Sequence, residues 1–470
     1  VMTGAPADLI ARLDALFHPE SLAIVGLPKG MKTGKLFLLA LRDMGFPGRL
    51  YAVNPHAEEI DGIKCHPSLS AIEGPVDLAI VLVPTPNMLE VVEECAAKKV
   101  KGVVLFTAGG KELGTLEGRR LEEDLVRTAR ASGTRLLGPN CMGLYSPRTG
   151  LSFFPGLNRE PGGVGLISHS GSLTNILGRL AADIGLGFSK VVSLGNECDL
   201  NSADFLAYLG RDPETTVVGA YLEAVRDGRY FLEALKDASA QKPVILWKVG
   251  LTPEGGRAAA SHTGALAVSA RVWAGVVRQG GAVSVTGWEE WVDTLMAFYL
   301  LPEGLGDRMV VISGPGGLCV SAAEACGAGG LRLADLSPAT VAELARFVPP
   351  TGTSLHNPID VSLTASLEVD IYIRAARAAA ADPGVDAVAV AGVGLSPEAN
   401  ERYTEAMIQA RLEFGKPFLM INIPGFDPGL AQTFCRAGLP FFQSAERAMA
   451  AYARVRSWQV RRGLIRAEEN

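Results

Sequence analysis

Leu78-Ala79-Ile80-Val81-Leu82-Val83, closed by Pro84, is an apolar run with no polar residue to mark a wet face. A strand that is apolar on both sides belongs inside a parallel sheet covered by helices above and below. Working outward, Leu22-Ala23-Ile24-Val25 and Arg49-Leu50-Tyr51-Ala52-Val53 precede it, and Gly102-Val103-Val104-Leu105-Phe106 and Arg135-Leu136-Leu137 follow it. Each run ends at a Gly, Pro or Asn turn, and longer amphipathic segments separate them. The alternation predicts an α/β protein whose first third is a Rossmann-like domain. Its binding crevice is expected at the carboxyl ends of those strands.

The rhythm continues to the end of the chain. Strands are expected at Val164 to Ile167, Lys190 to Leu194, Val217 to Leu222 and Val244 to Lys248, and after Pro302-Glu303-Gly304 at Met309 to Ile312, Ala387 to Ala391 and Phe418 to Ile423. The predicted division is 1–150, 151–303 and 304–470, consistent with the usual size of domains. The last two open alike. Val164-Gly165-Leu166-Ile167-Ser168 runs into Ser170-Gly171-Ser172, and Met309-Val310-Val311-Ile312-Ser313 runs into Gly314-Pro315-Gly316-Gly317. A helix N-terminus presents unpaired N–H groups and a partial positive charge, and small residues let an anion approach them. Both turns therefore read as phosphoryl sites, formed by Ser168, Ser170, Gly171 and Ser172 in one and by Gly314, Gly316 and Gly317 in the other. Backbone geometry alone also asks for Gly and Ser in a tight strand-to-helix turn.

Composition narrows the function. The chain of 470 residues carries a formal net charge of -6 with its Lys and Arg scattered, which gives no footprint for nucleic acid or an anionic membrane. Small molecules and proteins are the expected partners. Seven Cys (65, 95, 141, 198, 319, 326, 435) form no CxxC pair, which argues against a disulfide framework or a metal site and fits a reducing compartment. The N-terminus lacks a basic-then-apolar signal, and the run from Val76 to Pro84 is too short to span a bilayer, so a cytoplasmic location is expected.

Gly255-Gly256-Arg257-Ala258-Ala259-Ala260-Ser261-His262-Thr263-Gly264-Ala265 sets one histidine among residues too small to pack around it. An imidazole on such a pliable loop can be exposed to a reaction and then moved, which suits a histidine that carries a group. The plain alternative is that Ser261 or Thr263 caps a helix starting near Ala265 and His262 is a surface residue.

Nucleotide motifs fail their tests. Gly30-Met31-Lys32-Thr33-Gly34-Lys35-Leu36 is one residue short of a P-loop and has Leu36 where a metal-binding Ser or Thr belongs. The glycines at 26, 30 and 34 miss the dinucleotide spacing, and Asn54-Pro55 replaces the acid that reads a ribose hydroxyl. A nicotinamide oxidoreductase is accordingly disfavoured.

The chain resembles the α subunit of ADP-forming (NDP-forming) acyl-CoA synthetases, relatives of succinyl-CoA synthetase. The resemblance spans nearly the whole length. It rests on Ala23-Ile24-Val25-Gly26, Tyr51-Ala52-Val53-Asn54-Pro55, Gly62-Ile63-Lys64-Cys65, Val83-Pro84, Ala108-Gly109 with Lys111-Glu112, and Leu137-Gly138-Pro139-Asn140-Cys141-Met142-Gly143. It continues through Ser168-His169-Ser170-Gly171, Ser193-Leu194-Gly195-Asn196, Tyr221-Leu222-Glu223, Ser261-His262-Thr263-Gly264-Ala265 and Asn357-Pro358-Ile359-Asp360.

The resemblance implies a CoA-binding first domain followed by two flavodoxin-like ligase domains. CoA would be lined by Gly26, Lys29, Asn54, Pro55, Val83, Pro84, Ala108, Gly109, Asn140 and Cys141. The chain departs from the family's Gly-Ala-Ser with Gly26-Leu27-Pro28, and burial explains Cys141 as well as any thiol chemistry does. His262 matches the phosphorylated histidine, and Glu223 the acid that orients it. The two small-residue turns would face one another across His262. His169 stands where Gln or Arg is usual and takes no assigned role; contact with the phosphate and an outward orientation are the two expectations for it.

The implied reaction interconverts acyl-CoA, ADP and phosphate with carboxylic acid, CoA and ATP through phospho-His262. The chain carries no recognisable ATP-grasp segment, so Mg2+ and ADP or ATP are expected on a partner ATP-grasp β subunit, or on a missing fused part, in an α2β2 assembly or around an α homodimer. The pliable Gly255 to Ala260 stretch would shuttle the histidine. A non-catalytic CoA-binding or regulatory protein, and an acyl- or carbamoyl-transfer relative on the same scaffold, are the alternatives.

Overall fold

Strands Leu78–Val81 and Gly102–Leu105 are buried at every residue, as expected of apolar runs in a sheet covered on both faces. They lie in the first of three sheets of the computed structural model, which describes residues 7–263, 268–424 and 429–465. In order across that sheet run Glu59–Ile60, Ile63–His66, Arg49–Val53, Ser21–Val25, Leu78–Val81, Gly102–Leu105 and Arg135–Leu137. All pairings are parallel except the edge hairpin of Glu59–Ile60 with Ile63–His66. Its turn residues, Asp61 and Gly62, both have positive φ, 50° and 78°, as a type I′ hairpin requires. The chain crosses one way from Ser21–Val25 to Arg49–Val53 and the other way to Leu78–Val81. The topological switch point thus falls at the carboxyl end of Ser21–Val25.

The second sheet orders Val283–Val285, Val244–Lys248, Val217–Leu222, Pro161–Ser168, Phe188–Ser193 and Gly143–Tyr145. Gly143–Tyr145 falls before the expected boundary at 150, yet it pairs antiparallel with Phe188–Ser193 and closes the edge of this sheet. The run is short and is preceded by a turn, so no periodicity announced it. The third sheet orders Arg332–Leu333, Arg308–Ser313, Ala387–Ala391, Phe418–Ile421 and Phe441–Phe442, with Ile359–Asp360 paired to the end of Arg308–Ser313.

The first two sheets belong to one compact unit, Val1–Ala181 with Gly187–Thr286, and the third to another, Ala182–Leu186 with Gly287–Asn470. In the first unit, Phe17 stacks on Tyr208 with centroids 5.7 Å apart, and the Tyr208 hydroxyl donates to Asp14 at 2.8 Å, which ties the N-terminal helix to Ser202–Arg211. Helix Trp288–Leu300 precedes the Pro302-Glu303-Gly304 linker but packs into the second unit. There the Asp293 carboxylate takes both arms of the Arg447 guanidinium, at 2.6 and 2.9 Å. No described helix is long and apolar enough to cross a membrane.

The stretch read as a pliable loop is helical. Helix Pro253–Thr263 includes Gly255 to Ala260, so that expectation is corrected, and so is the capping role of Ser261 and Thr263. The next helix is Ala270–Gly280. The reason is local: the Thr252 hydroxyl accepts the Gly255 amide at 3.0 Å, the Thr252 carbonyl accepts the Gly256 amide at 2.7 Å, and Pro253 opens the first turn. A Thr-Pro-Glu start followed by three alanines outweighs the Gly255-Gly256 pair.

Candidate functional site

The crevice at the switch point gathers most of the predicted CoA residues. Gly26 follows its strand with φ +84° and donates to the Val53 carbonyl at 2.9 Å. A Cβ there would lie 3.0 Å from Cγ1 and 3.1 Å from the amide nitrogen of Val83, so a side chain is refused and the floor stays open. Asn54 closes the next strand end. Its amide side chain donates to the Leu27 carbonyl at 2.9 Å and accepts from the His56 amide at 2.8 Å. Val83 receives the Thr107 hydroxyl at its carbonyl, 2.8 Å, and the Thr85 hydroxyl donates to the carbonyl of Ala108, also at 2.8 Å. The strand-end loops are therefore cross-braced by short polar side chains.

Lys29, Pro55, Pro84 and Ala108 are exposed on the rim, while Gly26, Asn54, Val83, Gly109 and Asn140 are half-buried. Gly109 has φ +132°, and a Cβ on it would meet Cγ2 of Thr85 at 2.4 Å. Cys141 points away from solvent, its thiol 3.6 Å from the Leu105 carbonyl, and burial pushes that thiol up to about 12. It is a packing residue, not a reactive thiol.

Below the crevice, a polar cluster links the first sheet to the second. The Glu122 carboxylate accepts the Lys111 amide at 2.9 Å and the Asn196 side-chain amide at 2.8 Å, and Asn196 also donates to Glu112. The chain around Asn196 is held equally tightly by backbone. A Cβ on Gly195 would lie 2.3 Å from the carbonyl oxygens of both Pro139 and Asn140, and the Asn196 amide donates to Pro139 at 3.0 Å. Lys111, Glu112 and Asn196 appeared only as family motifs in the sequence; their mutual bonding is tertiary.

The first small-residue turn caps helix Gly171–Leu180. The Ser170 hydroxyl accepts the Leu173 amide at 3.2 Å, and the buried Ser168 hydroxyl donates to the Ser170 carbonyl at 2.8 Å. Both predicted serine side chains are thus engaged within the turn. What faces outward at this end is the backbone N–H of Gly171 and of the exposed Ser172, neither of which has a hydrogen-bond acceptor among the described residues.

At the carboxyl end of the neighbouring strand lies a buried charged group that sequence reasoning only partly found. Glu223, at the end of Val217–Leu222, is buried, and its carboxylate accepts the Tyr221 hydroxyl at 3.2 Å. Lys248 ends the adjacent strand, is buried too, and donates from Nζ to the Glu223 carbonyl at 3.0 Å; burial lowers its pKa against the opposing pull of Glu223. His169 is not directed outward: it is buried, with the amides of Glu223 and Ala224 donating to Nδ1 at 3.0 and 3.4 Å. Its Nε2 stands 2.9 Å from Oε1 of buried Glu197, off the line along which the ring N–H points. Nothing in the spacing of His169, Glu197 and Glu223 along the chain announces that meeting.

The backbone of His262 belongs to the last turn of Pro253–Thr263, while its side chain, like Gly264 and Ala265, lies outside the described residues. The start of that helix sits over Gly250, whose φ is +80° and whose position a Cβ would share with Ala259 at 3.3 Å and Lys248 Nζ at 3.7 Å. The helix also packs on the Lys111–Leu113 turn of the first sheet's loops.

The second small-residue turn differs. Helix Gly316–Ala328 starts after Pro315 with no side-chain cap, and a Cβ on Gly316 would fall 2.6 Å from Oδ2 of Asp360. A carboxylate therefore already faces this N-terminus, where it satisfies the helix dipole. Gly314 is buried against the Tyr372 hydroxyl, which a Cβ would meet at 2.3 Å, and Gly317 is exposed.

Residues 20–147 match the family described as "CoA binding domain", residues 161–298 "Succinyl-CoA ligase like flavodoxin domain", and residues 309–394 "Ligase-CoA domain". The chain is 36% identical over 94% of its length to the α subunit of acetate–CoA ligase [ADP-forming] II of Pyrococcus furiosus, covering 97% of that subunit. It is 35% identical over 93% of its length to acetate–CoA ligase [ADP-forming] I of Archaeoglobus fulgidus, of which it spans 62%. Its fold superposes with a TM-score of 0.84 on acetyl-coenzyme A synthetase 1 of Ca. Korarchaeum cryptofilum, solved with phosphate and ADP, at 33% identity over 96% of this chain and 98% of that one.

Proposed function

Since the chain belongs to the family of ADP-forming acetate–CoA ligases and their α subunits, we propose that it works as the α subunit of an acyl-CoA synthetase, interconverting acyl-CoA, ADP and phosphate with carboxylic acid, CoA and ATP. The observation that carries this reading is that a buried carboxylate, Glu223, and the N-terminus of helix Gly171–Leu180 both follow the carboxyl ends of two neighbouring parallel strands of the second sheet. In the first step, phosphate attacks the thioester carbonyl and CoA leaves as thiolate, giving an acyl phosphate. In the second, a ring nitrogen of His262 attacks phosphorus and the carboxylate departs. In the third, ADP takes the phosphoryl group from His262.

Each part has a physical task. Gly26, Asn54, Pro55, Val83, Pro84, Ala108, Gly109 and Asn140 form the CoA crevice with Lys29 at its mouth, and Cys141 packs beneath it. Glu223 accepts a hydrogen bond from His262, selecting the tautomer whose other nitrogen is free to attack. The amides of Gly171 and Ser172, on a turn shaped by Ser168 and Ser170, stabilise the phosphoryl charge. Gly314, Gly316 and Gly317 shape a second phosphoryl-binding turn, on the third sheet, with Asp360 as a counterweight that limits the charge it can accept. The division of labour follows the three sheets, with Gly143–Tyr145 belonging to the second and helix Trp288–Leu300 to the unit of the third. Mg2+ and the nucleotide are supplied by an ATP-grasp β subunit, in an α2β2 cytoplasmic assembly.

The test is incubation with acetyl-CoA and radiolabelled phosphate, with and without a co-purifying ATP-grasp chain. An acid-labile, base-stable label that disappears in His262→Ala is the expected result. The absence of label with every acyl-CoA supplied, partner present, refutes the reading.

A further inference from the structure

His169 follows strand Pro161–Ser168, which lies between Val217–Leu222 and Phe188–Ser193 in the second sheet. Its backbone amide donates to the Tyr221 carbonyl at 3.2 Å, and the Leu194 amide donates to Ser168 at 2.8 Å, so the ring stands where both neighbouring strands end. One edge of the ring faces the extension of the first neighbour and the other faces the extension of the second. Nδ1 takes the amides of Glu223 and Ala224 at 3.0 and 3.4 Å, and Nε2 lies 2.9 Å from the Glu197 carboxylate.

Two converging N–H donors require a lone pair, so Nδ1 carries no hydrogen. The ring N–H is then Nε2, on the side of Glu197. Glu197 is itself held: its Oε1 accepts the Ser202 amide at 2.6 Å, and the Arg226 guanidinium donates to its carbonyl at 2.6 Å. Glu197 adopts φ +54°, a left-handed conformation unusual for a glutamate, and its side chain is 4% exposed. A buried acid kept in that conformation and set against a buried imidazole fixes the ring from behind.

We propose that His169 is a positioning residue: with Glu197 behind it, it pins the Glu223–Ala224 turn and so sets where the Glu223 carboxylate points. This rests on the reading that Glu223 steers His262. The role belongs to the acceptor at Nδ1, which a glutamine side chain reproduces through its carbonyl oxygen. Leucine fills a similar volume and supplies no acceptor. It would leave the buried Glu223 N–H and the half-buried Ala224 N–H without one, which frees the turn.

The experiment compares His169→Leu and His169→Gln in the full chain by amide hydrogen exchange and by the rate of phosphoryl transfer to His262 from acetyl-CoA and phosphate. In the leucine variant the Glu223 and Ala224 amides are expected to lose protection and the maximal rate to fall by about tenfold or more. Its KM for acetyl-CoA should stay within about twofold, because the CoA crevice is untouched. The glutamine variant should keep the protection and recover the rate to within about threefold. Wild-type protection and rate in the leucine variant overturn the proposal. So does a folded glutamine variant that loses both. Should the leucine variant fail to fold, the glutamine variant alone decides, on whether those two amides stay protected. If the wild-type chain takes no label, the functional reading fails, while exchange at Glu223 and Ala224 still decides what His169 holds.

Discussion

Asp199 offers a quantitative test of what joins the first two sheets. Its side chain is 0% exposed and accepts Nε of Arg135 at 2.7 Å, Nη2 of Arg130 at 2.7 Å and the Leu136 amide at 3.0 Å. Arg135 and Leu136 start the strand Arg135–Leu137 at the edge of the first sheet and Arg130 lies in the last turn of helix Leu116–Ser132 before it, whereas Asp199 lies on the segment between Glu197 and helix Ser202–Arg211. Asp199→Asn keeps the shape, removes the charge and turns an NH2 toward guanidinium donors. Breaking a buried pair from one side costs about 3–5 kcal/mol. The Arg130 side chain is 57% exposed and its share is screened to roughly 0.5 kcal/mol, while Arg135 is only 17% exposed and keeps most of its share. The variant is therefore expected to lose about 3 kcal/mol in the first unit.

Hydrogen exchange of the Pro161–Ser168 amides in the full chain measures that loss, because they lie in the middle of the unit. Acidity supplies a second axis. Burial pushes the Asp199 carboxyl up, but Arg135, the Leu136 amide and Arg130 outweigh it and hold it below the usual carboxylate range. A lowered folded value means that the contribution is complete above the unfolded value, about 3.9, and is lost as pH falls through the lower folded one. The gap between wild type and Asp199→Asn should be constant from neutral pH down to about pH 5 and should close below about pH 4. A loss under about 1 kcal/mol at neutral pH, or a gap that widens on acidification, refutes this account of the joint.

Two shorter predictions concern the crevice. Gly26→Ala forces a Cβ onto a residue at φ +84° and within 3.1 Å of the Val83 amide nitrogen. Strain of about 1–2 kcal/mol plus the lost approach should weaken CoA binding by roughly tenfold or more, and unchanged affinity by calorimetric titration would remove Gly26 from the site. Cys141, with its thiol pushed up to about 12, should resist a thiol reagent at mildly alkaline pH in the native chain and react once the chain unfolds; fast native labelling would contradict its burial.

Helix Pro253–Thr263 departs from the loop that its composition suggests, for a local reason. Gly255-Gly256 and a run of small side chains look pliable when each residue is weighed alone, but Thr252, Pro253 and Glu254 form a helix start that needs only local hydrogen bonds. That local signal outweighs the composition of the stretch. Gly143–Tyr145 is the opposite case. Its three residues carry no pattern of their own and become a strand because Phe188–Ser193 offers them an open edge.

The α/β alternation, the succession of buried strands along the chain and the glycines at their ends were legible in the sequence, because burial on both faces and positive φ leave marks in residue choice. Only the tertiary structure decided that His169 turns inward between Glu197 and the Glu223 amide, that Asp360 stands at the start of Gly316–Ala328, and that Asp199 clasps Arg135. These partners are 54, 44 and 64 residues apart or at similar remove, as the His169–Glu223, Gly316–Asp360 and Arg135–Asp199 numbering records. Hydrogen bonds and ion pairs act over about 3 Å in space and leave no period along a chain.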